Sequence, residues 1–460
     1  MTTPRVAVIG GGLAGLAAAG ALCGLGVTPF VFERDDDVGG VVRTRQRDGW
    51  VIDTGPCLAA EPDVAVRAML DRAGLDQCTV RATPAAATRY IVLDGAPVPL
   101  PRTTSELSAS PLLSLAGRLR LLKERFIPTE GEATDESVDS FARRRFGDEM
   151  ADRMFDPLIA STSAGDPRQI VARYAFPSLV GHEHRAGSGL QGSARAGMAA
   201  RRRAKGPPMG SWSCAAGMQQ LPRRLAGWIG RVRTGARVDA VAATSTGVAV
   251  SVSGDSESFD AVVFATPTSA LGRMHIDLPE AHRLREVTSM PQASIASVSL
   301  GYRRDQVAHP LDCSRLLVPA VERRAILSVV FPSSAFPGRA PHDHVLLTTF
   351  VGGARRPELL DRSEPELIAL VQAELAELLG AEGAPVMSDV TIWKDALPQA
   401  VAGHGDRLAA ADAIEAACGR VAFAGAWRDG LSVGEVMLGG MRAAERLAQR
   451  FGRRPVSSST

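Results

Sequence analysis

The first chemistry the chain offers is a glycine-rich turn near its N-terminus. Val6-Ala7-Val8-Ile9 is an apolar run that ends in Gly10-Gly11-Gly12-Leu13-Ala14-Gly15, and an Ala-rich stretch continues to Gly24. Strand, tight turn and helix in that order aim main-chain N–H groups and the positive end of a helix at a phosphate. In this spacing Gly10 permits the turn, Gly12 lets a pyrophosphate approach the backbone, and Gly15 lets the helix pack closely on the strand. A second apolar run, Thr28 to Phe32, ends in Glu33. An acid about 20 residues after the first glycine is placed to accept from ribose hydroxyls, and it disfavours a 2′-phosphate. Glycine-rich turns are common, so a purely structural turn is the competing reading.

Residues 38–56 narrow the choice of dinucleotide. Val38-Gly39-Gly40-Val41-Val42-Arg43-Thr44 brings a second glycine pair and an arginine, and then comes Asp53-Thr54-Gly55-Pro56. On these words the chain resembles the flavin amine oxidase superfamily, whose second glycine motif and arginine hold FAD phosphates and wrap the flavin. The resemblance implies FAD as cofactor, with Gly39, Gly40 and Arg43 against it. An ordinary β-turn with a solvated arginine is the alternative.

These groups need a scaffold, and the sequence supplies it in three distant pieces. Arg237 to Val241 and Gly247 to Ser253 alternate like strands, and Phe259 to Ala265 reads as a buried strand closed by Thr266-Pro267. In the superfamily Val238 would set its main chain against the adenine. Arg420 to Gly425 is again strand and glycine turn, and Asp429 to Gly434 opens a last helix, so Gly425, Ser432 and Val433 could aim N–H groups at a flavin edge. The expected fold class is α/β: a discontinuous Rossmann-like FAD-binding domain from 1–85, 206–275 and 405–450. A helical insertion over 86–205, an α+β substrate-binding domain over 276–404 and a disordered tail over 451–460 complete the division.

Within the first insertion, Pro111 to Phe126, Glu136 to Arg145 and Asp148 to Ile159 carry apolar residues at helical spacing. Pro111 to Phe126 is also basic and amphipathic, which reads first as a surface helix packed on its own domain and second as a peripheral membrane contact. Arg185 to Pro208 reads as a mobile loop. In the second insertion strands are expected at Ser294–Tyr302 and Leu346–Val351, with a helix at Glu364–Leu379.

Composition sets the outer limits. The chain has 460 residues, 45% hydrophobic and 22% charged, with a net charge of +2, excluding a strongly basic nucleic-acid binder, a collagen and a disulfide scaffold. Its six cysteines are scattered without a CxxC pair and read as reduced core thiols. No apolar stretch is long enough for a membrane span and no secretory signal is visible, so a cytoplasmic location is expected, at most peripheral to a membrane.

Further words extend the resemblance to the protoporphyrinogen and coproporphyrinogen oxidase family, almost end to end. They include Arg89-Tyr90-Ile91, Arg145-Phe146-Gly147, Asp156-Pro157-Leu158, Ala216-Gly217-Met218-Gln219-Gln220-Leu221, Phe336-Pro337-Gly338-Arg339-Ala340-Pro341, Phe350-Val351-Gly352-Gly353-Ala354-Arg355 and Gly430-Leu431-Ser432-Val433-Gly434. The resemblance implies an FAD-dependent oxidase that dehydrogenates a porphyrinogen, with O2 as acceptor and H2O2 as product. It implies Arg89 on a propionate, Phe350 stacked on a pyrrole, and Leu317 and Leu327 sandwiching the ring. Ordinary core packing competes for those three apolar residues. No nucleophile, metal cluster or catalytic base stands out, and His404 reads as a structural hydrogen-bonding residue.

Three departures from the family fall near the expected substrate side. Ser161-Thr162-Ser163-Ala164 replaces a glycine-rich turn, making Ser161 a candidate substrate contact; Ala400 stands where a Tyr is common; and Trp427-Arg428-Asp429 replaces a smaller pattern. They keep two alternatives open: a related oxidase or dehydrogenase acting on a smaller cyclic amine or pyrrole-type intermediate, and a non-catalytic flavoprotein.

Overall fold

The computed structural model describes residues 3–129, 135–193 and 210–452. The tail from 453 and most of the loop expected over 185–208 lie outside the described residues.

Three short apolar runs form the centre of a five-stranded parallel sheet: β1 (Arg5–Ile9), β2 (Thr28–Phe32) and β13 (Ala261–Phe264). β9 (Val232–Arg233) and β20 (Val421–Phe423) complete it in the order β20-β13-β1-β2-β9. Parallel strands covered on both faces carry continuous apolar runs, and Val6, Ala7 and Val8 are fully buried. Helix α1 (Leu13–Gly24) packs over this sheet beneath the last helix, Val433–Arg450. The contact is backbone-close: a Cβ on Gly440 would lie 2.1 Å from the Ala14 carbonyl oxygen. The strands β10 (Val238–Ala243), β11 (Val248–Val252), β12 (Asp255–Phe259) and β14 (His275–Asp277) form a second sheet, and two ribbons pair β3 (Thr44–Arg47) with β4 (Trp50–Asp53) and β5 (Thr79–Arg81) with β8 (Trp212–Cys214).

The largest sheet has seven strands. Its order is β19 (Met387–Pro398), β15 (Gln292–Arg303), β18 (His344–Gly352), β17 (Ile326–Val330), β16 (Arg315–Leu317), β6 (Arg89–Leu93) and β7 (Ala96–Pro99). Here the structure departs from the expected helical insertion, because its first residues are strands: β6 runs parallel to β16 with Arg89 opposite Arg315. A helix at Glu364–Leu379 covers one face, as its apolar spacing predicts.

The other face meets the helical segment. α2 (Leu115–Leu122) begins at the Ser114 cap, later than Pro111, and α3 spans Val138–Phe146. The third predicted helix continues through a π turn at Ala151–Phe155 into α4 (Asp156–Ser163). α2 packs on its own domain through Leu121, as expected of a surface helix, while Leu115, Leu119 and Leu122, with Phe126 beyond, are 53–73% exposed. The six cysteines are unbridged, with Cys78, Cys214 and Cys313 buried, Cys57 and Cys418 half-buried, and Cys23 exposed rather than in the core.

One buried ion pair ties these bodies together. Asp53, at the end of β4, accepts from Thr44 Oγ1 (2.6 Å) and the Met218 N–H (2.8 Å) through one oxygen, and its other oxygen lies 3.2 Å from Arg339 Nη1. Arg339 also donates to Ser213 Oγ and the Cys214 carbonyl, and both members of the pair are about 1% exposed along their side chains. Removing one partner of such a pair strands the other charge, at about 3–5 kcal/mol. Arg339→Met is expected to lose that much unfolding free energy in denaturant titrations, and Arg339→Met with Asp53→Asn to recover part of it. Additive losses in the double variant would show that the two groups are not coupled.

Candidate functional site

The parallel strands β1, β13 and β20 end side by side, and the turns leaving them, Gly10–Gly12, Ala265–Pro267 and Ala424–Gly425, share one rim. In open α/β sheets this rim, where connections leave in opposite directions, is where dinucleotides bind. Gly10 has φ +110°, and a Cβ there would lie 2.5 Å from the Ala265 carbonyl oxygen; a Cβ on Gly15 would lie 1.9 Å from the Gly10 carbonyl oxygen. Gly12 differs, because a Cβ on it meets nothing within 4 Å. Two glycines are therefore required by the protein itself, while the third leaves space above a helix start that no side chain caps.

Other groups around the rim fit FAD. Gly39 N–H donates to the Gly11 carbonyl at 2.9 Å, and Gly40 lies against Gly12. The buried Glu33 accepts from Gly11 N–H (2.7 Å) and Asp35 N–H (2.9 Å), so it shapes the glycine turn and keeps lone pairs for ribose hydroxyls. Arg43 donates to the Gly40 carbonyl and pairs with Asp35 at 2.8 Å. Val238 is buried at a bulge in β10, near Ala236, whose N–H donates to the Glu33 carbonyl. Ser432 caps the last helix, leaving the N–H groups of Val433 and Gly434 at its start, and a Cβ on Gly434 would meet nothing within 4 Å. Two buried polar atoms beside the rim, Thr266 Oγ1 next to Gly10 and Trp427 Nε1 next to Gly425, have no protein partner among the described residues.

On the seven-stranded sheet, the face toward α4 gathers the apolar candidates into two adjoining clusters. Phe350 and Leu327 pack with Ile295, Leu397, Ala160 and Ala164, whereas Leu317 packs with Ile91, Leu112 and Leu158. Arg89 is exposed at the edge of this face, and its side chain makes no hydrogen bond or ion pair among the described residues. Arg315, beside it, was not legible as a site residue. Its alternation with Leu317 along β16 was the available signal, since residues two apart share a face. Arg315 Nη1 donates to the Ser161 carbonyl at 3.3 Å, and burial, reinforced by the Arg89 charge, holds the guanidinium below the ordinary arginine range.

Several expectations change at this face. Ser161, Thr162 and Ser163 form the end of helix α4 rather than the expected connecting turn, and their hydroxyls bond back to Leu158 and Ile159 carbonyls. The true turn begins at Ala164, held at φ +49° with its carbonyl accepting from Ala354 N–H. Trp427 packs under the five-stranded sheet against Phe423, and Arg428 pairs with Asp412. The His404 ring makes no side-chain hydrogen bond among the described residues. It meets Tyr174 edge-on at 4.5 Å, and burial, with Arg407, lowers its pKa to about 4. Burial and Asp53 push the Cys57 thiol up to about 11, so it stays protonated at neutral pH and is no nucleophile there.

The rim and the apolar face together define an FAD-dependent oxidoreductase. The sequence profile described as flavin containing amine oxidoreductase matches residues 13–448, and the chain belongs to that family, in its protoporphyrinogen and coproporphyrinogen oxidase branch. It is 32% identical to the mitochondrial protoporphyrinogen oxidase of Nicotiana tabacum over 96% of this chain and 94% of that one. It is 25% identical to the coproporphyrinogen III oxidase of Bacillus subtilis (strain 168) over 88% and 89%. A crystal structure from Exiguobacterium sp. 255-15 shares the fold, with a TM-score of 0.78 at 22% identity over 98% and 99% of the chains.

The open space at Gly12 gives a direct check. Gly12→Ala is expected to fold with near-normal Tm as apoprotein and to bind FAD at least tenfold more weakly. Gly15→Ala should instead lower the apoprotein's Tm, because its methyl collides with backbone; overpacking of this kind costs about 1–3 kcal/mol. Equal FAD affinity in wild type and Gly12→Ala would remove Gly12 from the cofactor site.

Proposed function

We propose that the chain oxidises a porphyrinogen, protoporphyrinogen IX or coproporphyrinogen III, to the porphyrin, with O2 reduced to H2O2. The observation that carries this reading is the pairing of an apolar face, Phe350 and Leu327, with Arg89 at its edge, which has no ion-pair partner among the described residues. The relatives named for porphyrinogen oxidation match over most of their length and support it. FAD, when bound, supplies a two-electron acceptor for hydride. The protein's own part is positional. Phe350 and Leu327 exclude water and orient the macrocycle, and Arg89 fixes a rim carboxylate by a charge-assisted hydrogen bond. Glu33, Gly39, Gly40, Arg43, Val238, Gly425, Ser432 and Val433 hold the cofactor in the same reading.

Anaerobic mixing of the holoenzyme with either porphyrinogen is expected to bleach the flavin absorbance, and readmitted oxygen to restore it with one peroxide per two electrons. Arg89→Ala should raise KM with kcat nearly unchanged, by about 1–3 kcal/mol for a hydrogen bond to a charged group. Bleaching by a cyclic amine and by neither porphyrinogen would move the assignment to the smaller substrate class, and no bleaching by any substrate would leave a non-catalytic flavoprotein.

A peripheral membrane position belongs to the same proposal. No helix among the described residues is long and apolar enough to cross a membrane. The exposed stripe of Leu115, Leu119, Leu122 and Phe126, flanked by exposed Lys123 and Arg125, suits shallow insertion into an anionic surface. The protein is expected to float with vesicles containing phosphatidylserine, less with phosphatidylcholine alone, and not after Leu119→Asp with Leu122→Asp. Wild-type protein that stays at the bottom of the gradient with both vesicles would exclude this contact.

A further inference from the structure

Several arginines around the substrate-side sheet have a carboxylate partner. On and around the seven-stranded sheet Arg355 pairs with Asp156, Arg324 with Glu374 at 3.0 Å, and Arg45 with Asp389 at 2.8 Å. Arg89 and Arg315 have no carboxylate partner among the described residues. They stand opposite one another on neighbouring parallel strands, about 4.8 Å apart in the hydrogen-bonding direction, and no carboxylate among the described residues reaches either side chain. Arg315 spends one of its five N–H donors on the Ser161 carbonyl, and the charge beside it is another cation. A half-buried guanidinium stays ionised, and leaving Arg315 without a counter-charge beside a second cation costs stability unless an anion joins them.

The two sit at different depths. Arg89 is exposed, whereas Arg315 is half-buried on the strand that carries the buried Leu317, against the end of α4. We infer that Arg315 is a second substrate-binding cation, and that with Arg89 it selects a ring substrate carrying two carboxylates on one edge, one held at the mouth and one inside. This rests on the porphyrinogen reading for the identity of the ring, but the arginine pair itself is a property of the two strands. The competing role for Arg315 is structural: a cation near a helix C-terminus also favours that helix.

The test uses the FAD-loaded enzyme and compares a dicarboxylic porphyrinogen with its dimethyl ester. Wild type is expected to prefer the diacid at least tenfold in kcat/KM. Arg315→Gln should lose most of that preference through KM, with flavin content and Tm retained, and Arg315→Lys should keep part of it. An Arg315→Gln enzyme that turns over the diacid with unchanged KM and preference, or that loses Tm without losing preference, overturns the inference and leaves the porphyrinogen reading intact. If wild type oxidises no porphyrinogen, that reading fails, and the pair is judged by perturbation of the flavin spectrum with phthalate. Saturable binding at least tenfold weaker in Arg315→Gln supports the second cation. Binding that is absent, or equal in both proteins, overturns it.

Discussion

The pairing of Asp53 with Arg339 is the constraint on which the arrangement of the two halves of the site depends. Asp53 closes the ribbon just after the second glycine motif, and Arg339 comes from the loop ahead of β18, the strand that carries Phe350. Through Thr44, Met218, Ser213 and Cys214 the pair holds two cofactor-side segments to the substrate-side sheet. Burial pushes Asp53 up and the guanidinium opposes it, so the interaction is a balance between desolvation and attraction. An apolar pair would hold the same volume. The ionic one adds direction, because each hydrogen bond specifies where a different stretch of chain must lie. Trp393 Nε1, bonded to the Thr54 carbonyl at 2.7 Å, fixes the neighbouring residue to β19 and extends the same junction.

The cofactor side was largely legible in the sequence because its information is local. Gly10, Gly12 and Gly15 fall within one turn, where a methyl would violate contacts at Gly10 and Gly15 and would meet open space at Gly12. The substrate side was legible only in part. Phe350, Leu327, Leu317 and Arg89 lie on or beside one face, but which of them touch depends on strand register between segments over 200 residues apart, as in the pairing of Arg89 with Arg315. Register is a long-range property that periodicity does not carry. The same holds for α2, whose apolar spacing is visible while the absence of a covering neighbour among the described residues is not. Ser161 to Ser163 were misplaced for a local reason. Hydroxyls that bond back to carbonyls three or four residues earlier let a turn-like composition remain helical.

The chain's thin supply of aromatic residues and its many glycines fit this division of labour. Close backbone contacts replace bulk in the cofactor half, as where Gly440 meets Ala14. Aromatic packing is kept for places that need rigid volume, such as the stacked Phe264 and Phe423 rings at the ends of β13 and β20.

The central parallel sheet also sets a schedule for biosynthesis. β1 acquires β2 almost at once, yet its other neighbour, β13, is made some 250 residues later, and the edge strand β20 and the helix over α1 later still. Until then a ribosome-bound chain presents Val6 to Ile9 with one edge unpaired and α1 uncovered. Non-local pairing of this kind slows folding and leaves apolar edges open to association. The nascent protein therefore cannot complete its cofactor cradle until the helix Val433–Arg450 has been made, so shielding by chaperones should matter more for yield than the modest size of each sheet suggests.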